Sequence, residues 1–324
     1  MAQDTTRRDF LQLGTTTLLA GAALSEASAQ ASQAPPAQNQ DQAKKQPTRF
    51  IIACMTLPYN RFPFQRALEG LRKVGYSHVA WGTSHMEAGG KAVPVIAADA
   101  PVSQAKELGA RCRDMGLEPV MMFSGIYPEA KNGLEVLRQR LLQAAAARIP
   151  QVLTFGHTRG GNDKLWVERF KQLAPVARDN NVLLVVKQHG GETGTGAACA
   201  RITREVQHEF IKVNYDAGNV LDYLRGKTNP LADLEACADE VRSFCIKDHR
   251  FVPVDQDCGP GLGEIDHYRL LNIVSFTGRT MPLCCENISA PGIRPQKPEE
   301  VDALARRARE FLELVIQCTQ RPAK

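Results

Sequence analysis

From Phe50 onward, short apolar runs alternate with longer amphipathic stretches, and this alternation limits the fold more than any other feature. The runs are Phe50–Met55, His78–Gly82, Glu118–Ser124, Gln151–Phe155, Val182–Val186, Phe210–Tyr215, Val241–Lys247 and Met281–Glu286. Short, nearly continuous apolar runs read as strands buried on both faces, as in a parallel sheet. Helical periodicity fills the intervals. Over Leu134–Arg148, Leu134, Leu137, Leu141 and Leu142 recur at three- and four-residue steps; Leu165–Asp179 follows the same rule. The stretch Glu299–Cys318 puts Val301, Leu304, Ala308, Phe311, Leu312 and Val315 on one stripe.

Eight strand–helix repeats predict an α/β fold, a single (β/α)8 barrel. The competing doubly wound sheet usually carries a Gly-rich fingerprint after an early strand, and Cys54-Met55-Thr56-Leu57-Pro58 is not one. With 43% hydrophobic residues among 324, the chain can fill such a core. A net charge of +5 without a long Lys/Arg run speaks against a nucleic-acid partner.

The N-terminus reads as an address. Residues 5–14, TTRRDFLQLG, place Arg7-Arg8 before Phe10-Leu11; a mildly apolar stretch and Ala27-Ser28-Ala29 follow. This is the layout of a twin-arginine signal peptide over residues 1–29, implying the Tat export machinery as a partner and a periplasmic or otherwise exported product. The apolar stretch is too short for stable insertion in a bilayer of ~30 Å. Residues 30–48, rich in Gln, Ala and Pro, read as a disordered linker. The barrel is expected over 49–318 and a short tail over 319–324. The nine cysteines show no framework spacing and read mostly as small buried apolar residues.

In a barrel, sites gather where strands end at their C-terminal side. The residues there are Trp81 and His85, Phe123-Ser124, His157, Lys187-Gln188-His189, Asp216 and Asn219, Lys247-Asp248-His249, and Glu286-Asn287.

Several of these stretches resemble the sugar phosphate isomerase/epimerase family of xylose-isomerase-like barrels, in a Tat-exported branch. They are VVKQHGG (185–191), VNYDAGNVLDYLRG (213–226), FCIKDH (244–249), GPGLGEID (259–266) and LCCEN (283–287). The resemblance implies a divalent cation (Mn, Mg, Co or Zn) at the barrel mouth and chemistry through an enediolate. Asp216 and Glu286 match the family's ligand positions. Lys187 stands where the family has Glu, and Cys245 where it has His.

Two readings follow. In one, the Lys187 ammonium replaces the cation between Asp216 and Glu286. In the other, a metal persists on Asp216 and Glu286 with one or two of His157, His189 and His249, or with Cys245. His189 would relay a proton. Lys247 would stabilise a developing oxyanion, with Asp248 fixing its position. Trp81, His157, Asn219 and Asp248 are expected to contact a sugar, Trp81 by stacking, and Arg250–Gly263 to form a lid.

The expected function is an exported carbohydrate isomerase, epimerase or lyase acting on a ketose or keto-glycoside, with Lys187, His189, Lys247 and Glu286 catalytic. The alternative is a non-catalytic sugar-binding barrel that has lost the full metal site. Phosphodiester cleavage would need a richer ligand cluster and a basic groove.

Overall fold

A computed structural model describes residues 46–320. The signal peptide, most of the linker and residues 321–324 of the tail lie outside the described residues. The barrel strands are β1 (Arg49–Met55), β2 (His78–Trp81), β5 (Glu118–Phe123), β6 (Gln151–Phe155), β7 (Leu183–Lys187), β8 (Ile211–Tyr215), β9 (Val241–Ile246) and β12 (Thr280–Cys285). All are parallel and close in the order β1-β12-β9-β8-β7-β6-β5-β2. Each of the eight predicted runs is a strand. Two antiparallel hairpins stand outside the barrel: β3 (Ser84–Glu87) with β4 (Lys91–Pro94), and β10 (Asp248–Arg250) with β11 (Gln256–Cys258).

The helices are α1 (Phe64–Lys73), α2 (Val102–Asp114), α3 (Gly133–Ala147), α4 (Asp163–Asp179), α5 (Gly196–Val206), α6 (Ala217–Tyr223), α7 (Pro230–Glu235), α8 (His267–Ile273) and α9 (Pro298–Thr319). Their starts carry the expected chemistry. The Asn162 side chain accepts from Leu165 N ahead of α4, and α9 opens with Pro298 followed by Glu299 and Glu300. Among the described residues no helix is long and apolar enough to cross a membrane.

Two cores result from the period-two alternation of strand side chains. Ala53, Met55, Ala80, Met121, Phe123, Leu153, Val185, Cys245 and Cys284 fill the barrel. Cys54, Val79, Trp81, Met122, Val152, Leu184, Val186, Phe244 and Cys285 face the helix layer. The neighbours Cys284 and Cys285 therefore belong to opposite faces. All nine cysteines are unpaired, and only Cys318 is exposed.

Contacts with the barrel start before Arg49. Thr48 is buried, its amide donates to Ser275 O at 2.7 Å, and its hydroxyl donates to Val274 O. At the other end α9 includes Thr319, also buried, so the last turn extends one residue into the predicted tail. The expected lid after Arg250 is partly the β10–β11 hairpin and partly a turn fastened to the barrel.

Candidate active site

Strand parity assembles the mouth of the barrel. Leu183 and Val185 point inward on β7, so Lys187 is the next inward position. By the same count Phe123 follows Met121, Phe155 follows Leu153, Lys247 follows Cys245, and Glu286 follows Cys284. Asn214 faces its barrel neighbour, its amide donating to Ser243 Oγ at 2.8 Å, and Asp216 lies two residues on.

Lys187 is the hub. Its Nζ lies 2.8 Å from Glu286 Oε1 and 2.6 Å from Oε2, and 3.3 Å from Asp216 Oδ2. Lys187 and Asp216 are fully enclosed, while the Glu286 side chain keeps 15% of its surface exposed. Burial would lower the Lys187 pKa, but the Glu286 and Asp216 charges push it well above the ordinary lysine value. Burial would raise Glu286, yet Lys187 and Lys247 bring it below the usual carboxylate range. For Asp216 burial wins and its carboxyl is pushed up. Asp216 has two tasks: Oδ1 accepts from Asn219 N at 2.9 Å, capping α6, while Oδ2 faces Lys187.

His189 stands beside this cluster, half-buried. Its Nδ1 donates to Gly156 O at 2.7 Å, which leaves Nε2 with a lone pair. Burial pushes its pKa down and Lys187 adds to this, against the opposing Gly156 hydrogen bond, so the ring favours its neutral form. The Gly190-Gly191 pair beside it serves close backbone approach. Gly190 has φ +79°, and a Cβ there would meet Thr158 O at 2.4 Å.

An aromatic arc flanks the hub: Tyr127 on Phe155 at 5.6 Å, Phe155 on His189 at 4.8 Å, and His189 on Tyr223 at 5.2 Å between ring centres. Lys187 Nζ lies 5.4 Å from the Phe123 ring centre. Tyr127, Phe155 and Tyr223 escaped the sequence reading. Parity could have found Phe155, whereas Tyr127 and Tyr223 sit beyond strand ends where no period applies.

Three expected contacts belong elsewhere. Trp81 is fully buried on the outward face of β2 and cannot stack on a sugar. The Asn219 side chain is spent on Gln188 O at 2.6 Å. Asp248 does not touch Lys247. Its carboxylate accepts from the amides of His249 (2.9 Å), Gly261 (3.0 Å) and Ile265 (3.0 Å), so it anchors the turn after β11. His85 is a packing residue, with Nδ1 donating to Phe62 O at 3.0 Å. His157 stays half-exposed, 3.9 Å from the Tyr127 ring centre, with Nε2 3.5 Å from Glu129. Lys247 is buried and pairs with Asp257 on the hairpin. Gly218 makes room for it: a Cβ there would meet Lys247 Cγ at 2.6 Å.

Asp216, Cys245 and Glu286 bring ligand atoms within 4.8 Å of one another, a candidate metal group. A protonated Lys187 within 3.3 Å of both carboxylates fills that point with positive charge. As built, this group does not fit a cation. His157, His189 and His249 do not join it. Beside Glu286 opens a cavity of about 260 Å³, lined by Leu57, Pro58, Asn60, Asn287, Ser289 and Leu304 among others.

No curated protein sequence matches the chain significantly. Solved structures do match in shape. A xylose isomerase-like TIM barrel protein from Mycobacterium smegmatis in complex with magnesium superposes with a TM-score of 0.65 at 19% identity, covering 85% of this chain and 98% of the other. An L-ribulose 3-epimerase gives 0.62 at 16% identity, covering 83% and 95%. The IOLI protein with a binding zinc atom gives 0.64 at 14%, covering 84% and 100%. At such identities the likeness is one of fold. The sequence model of the xylose isomerase-like TIM barrel matches residues 68–314, well over half of the chain. The chain belongs to the xylose isomerase-like TIM barrel family.

Proposed function

We propose that the protein is a sugar isomerase or epimerase acting on a neutral ketose or keto-glycoside, with the Lys187 ammonium where relatives would hold a cation. The observation that carries this is the seating of Lys187 against Glu286 and Asp216 at the open end of the barrel, beside a neutral His189. The epimerase neighbour supports the reaction class.

The division of labour follows from donor counting. Lys187 donates to both Glu286 oxygens and lies 3.3 Å from Asp216 Oδ2, so its charge is committed to balancing two acids. Lys247 has one carboxylate partner, which leaves N–H groups to stabilise a substrate oxygen as it gains negative charge. His189 Nε2 takes the proton from the carbon next to the carbonyl. The C–H electron pair becomes the enediolate C=C bond, and the carbonyl pair moves onto the oxygen beside Lys247. Return of the proton from His189 to the neighbouring carbon, with the remaining hydroxyl proton passing to the oxygen beside Lys247, isomerises the sugar; delivery of a solvent proton to the opposite face of the first carbon, with His189 releasing its own proton to water, epimerises it. The aromatic arc offers rings against which a sugar's apolar face can rest.

In this proposal the protein is exported, on the strength of Arg7-Arg8 and Ala27-Ser28-Ala29. An R7K/R8K double variant is expected to stay in the cytoplasm.

The deciding experiment incubates purified protein with ketoses and 3-keto-glycosides in D2O and follows deuterium uptake at the carbon next to the carbonyl. Exchange that disappears in His189→Gln supports the reading. Sugar binding without exchange or turnover replaces it with a binding barrel.

A further inference from the structure

A second cluster of ligand-type atoms lies outside the Lys187 hub, where α6 meets the hairpin. We propose that Asp222, His249 and Asp255 form a site for one first-row divalent cation of the zinc class, which pins the β10–β11 hairpin to α6.

One ligand atom from each residue lies within 4.8 Å of the other two. The decisive residue is His249. It is 1% exposed, and its Nδ1 donates to Asp257 Oδ1 at 3.0 Å. That bond places the ring proton on Nδ1 and leaves Nε2 as a lone pair. Nε2 lies 3.1 Å from Asp255 Oδ1, yet no hydrogen bond forms there and Nε2 has no partner. Three electron-pair donors thus converge with no proton between them. A buried lone pair that faces carboxylate oxygens is repelled unless a positive charge sits among them.

The geometry suits a small ion. Ligands ~2.0–2.1 Å from a tetrahedral zinc lie roughly 3.4 Å from each other, close to the 3.1 Å between His249 Nε2 and Asp255 Oδ1, and the Asp222 oxygen lies within 4.8 Å of both. The carboxylate behind the ring, Asp257, completes the carboxylate–histidine arrangement that orients metal-bound imidazoles. One nitrogen and two oxygens favour zinc over magnesium, which prefers oxygen alone. Arg225 donates to Asp255 Oδ2 at 2.7 Å, and this leaves Oδ1 turned toward His249. The other cation nearby, Lys247, is occupied with the far oxygen of Asp257.

This ion would act structurally. Asp257 lies on the same hairpin and holds Lys247, so fixing the hairpin fixes the ammonium that faces the barrel mouth. The site stands whether or not the proposed reaction occurs, and it is separate from the Asp216–Cys245–Glu286 group.

The test uses the purified full chain, stripped with chelator, dialysed and titrated calorimetrically with zinc, with bound metal measured by mass spectrometry. One zinc per chain is expected. Asp255→Asn and Asp222→Asn should each weaken binding at least tenfold, while Cys245→Ser and Glu286→Gln leave it unchanged. Cobalt should bind without a thiolate charge-transfer band. Because Asp255 is half-exposed, its variant should fold, and zinc should raise the melting temperature of the parent but not of this variant. Failure of the parent to bind zinc overturns the proposal. Binding lost in Cys245→Ser but kept in Asp255→Asn also overturns it, by moving the ion to the barrel mouth.

Discussion

Lys187 Nζ sits 2.6 Å from Glu286 Oε2, and the two residues come from strands that are not neighbours in the barrel. The pair therefore spans the barrel mouth. With Asp216 3.3 Å away, one buried cation holds two buried acids. Removing it strands both charges.

Lys187→Met should accordingly cost about 3–5 kcal/mol, the usual penalty for breaking a buried ion pair. In a domain this large that lowers Tm on the order of 10 °C. If Lys187 occupies a cation's place, added Mn2+ should recover part of the loss in the variant and none in the parent. Thermal denaturation with and without Mn2+ measures both.

The pH dependence of stability has a definite sign. Glu286 is held below its ordinary value of 4.5, so its contribution is present above that pH and is lost as pH falls through the lowered value. Lys187 is held above 10.5, so its contribution is present below that pH and fades as pH rises through the raised value. Urea titrations of the parent and Lys187→Met should differ most between these limits and converge outside them.

His189 must be neutral to accept a proton. Burial sets its pKa below 6.5, so the acid limb of kcat/KM should fall below the pH of an ordinary histidine. His189→Gln should lower turnover by roughly 10²–10⁴. An acid limb that persists in this variant assigns the base elsewhere.

Asp248 is a fastener. Asp248→Ala removes the acceptor of three backbone amides and should cost roughly 2–4 kcal/mol, with Gly261 and Ile265 among the first amides to exchange hydrogen faster. Protection at both positions equal to that of the parent would contradict this role.

Thiol chemistry separates the two environments of cysteine. Ellman's reagent should find one fast thiol, Cys318, in the native protein and nine after unfolding, with no change on prior reduction.

What the sequence determined alone was the architecture. Eight apolar runs with helical stripes between them are a local property, since each element's period is written in its own residues. Parity within a run goes further: counting by twos from Val185 to Lys187, or from Cys284 to Glu286, assigns a face without knowledge of the neighbours, and the same count excludes Trp81. The tertiary structure alone decided which polar groups meet. Asp248 and Lys247 are adjacent in sequence but face different partners, because a hairpin ten residues on supplies Asp257 to one and the turn beyond it supplies amides to the other. Long-range electrostatics has no period to read. How closely Lys187 approaches Glu286 depended on a distance between residues 99 apart in the chain, which closure of the barrel alone sets.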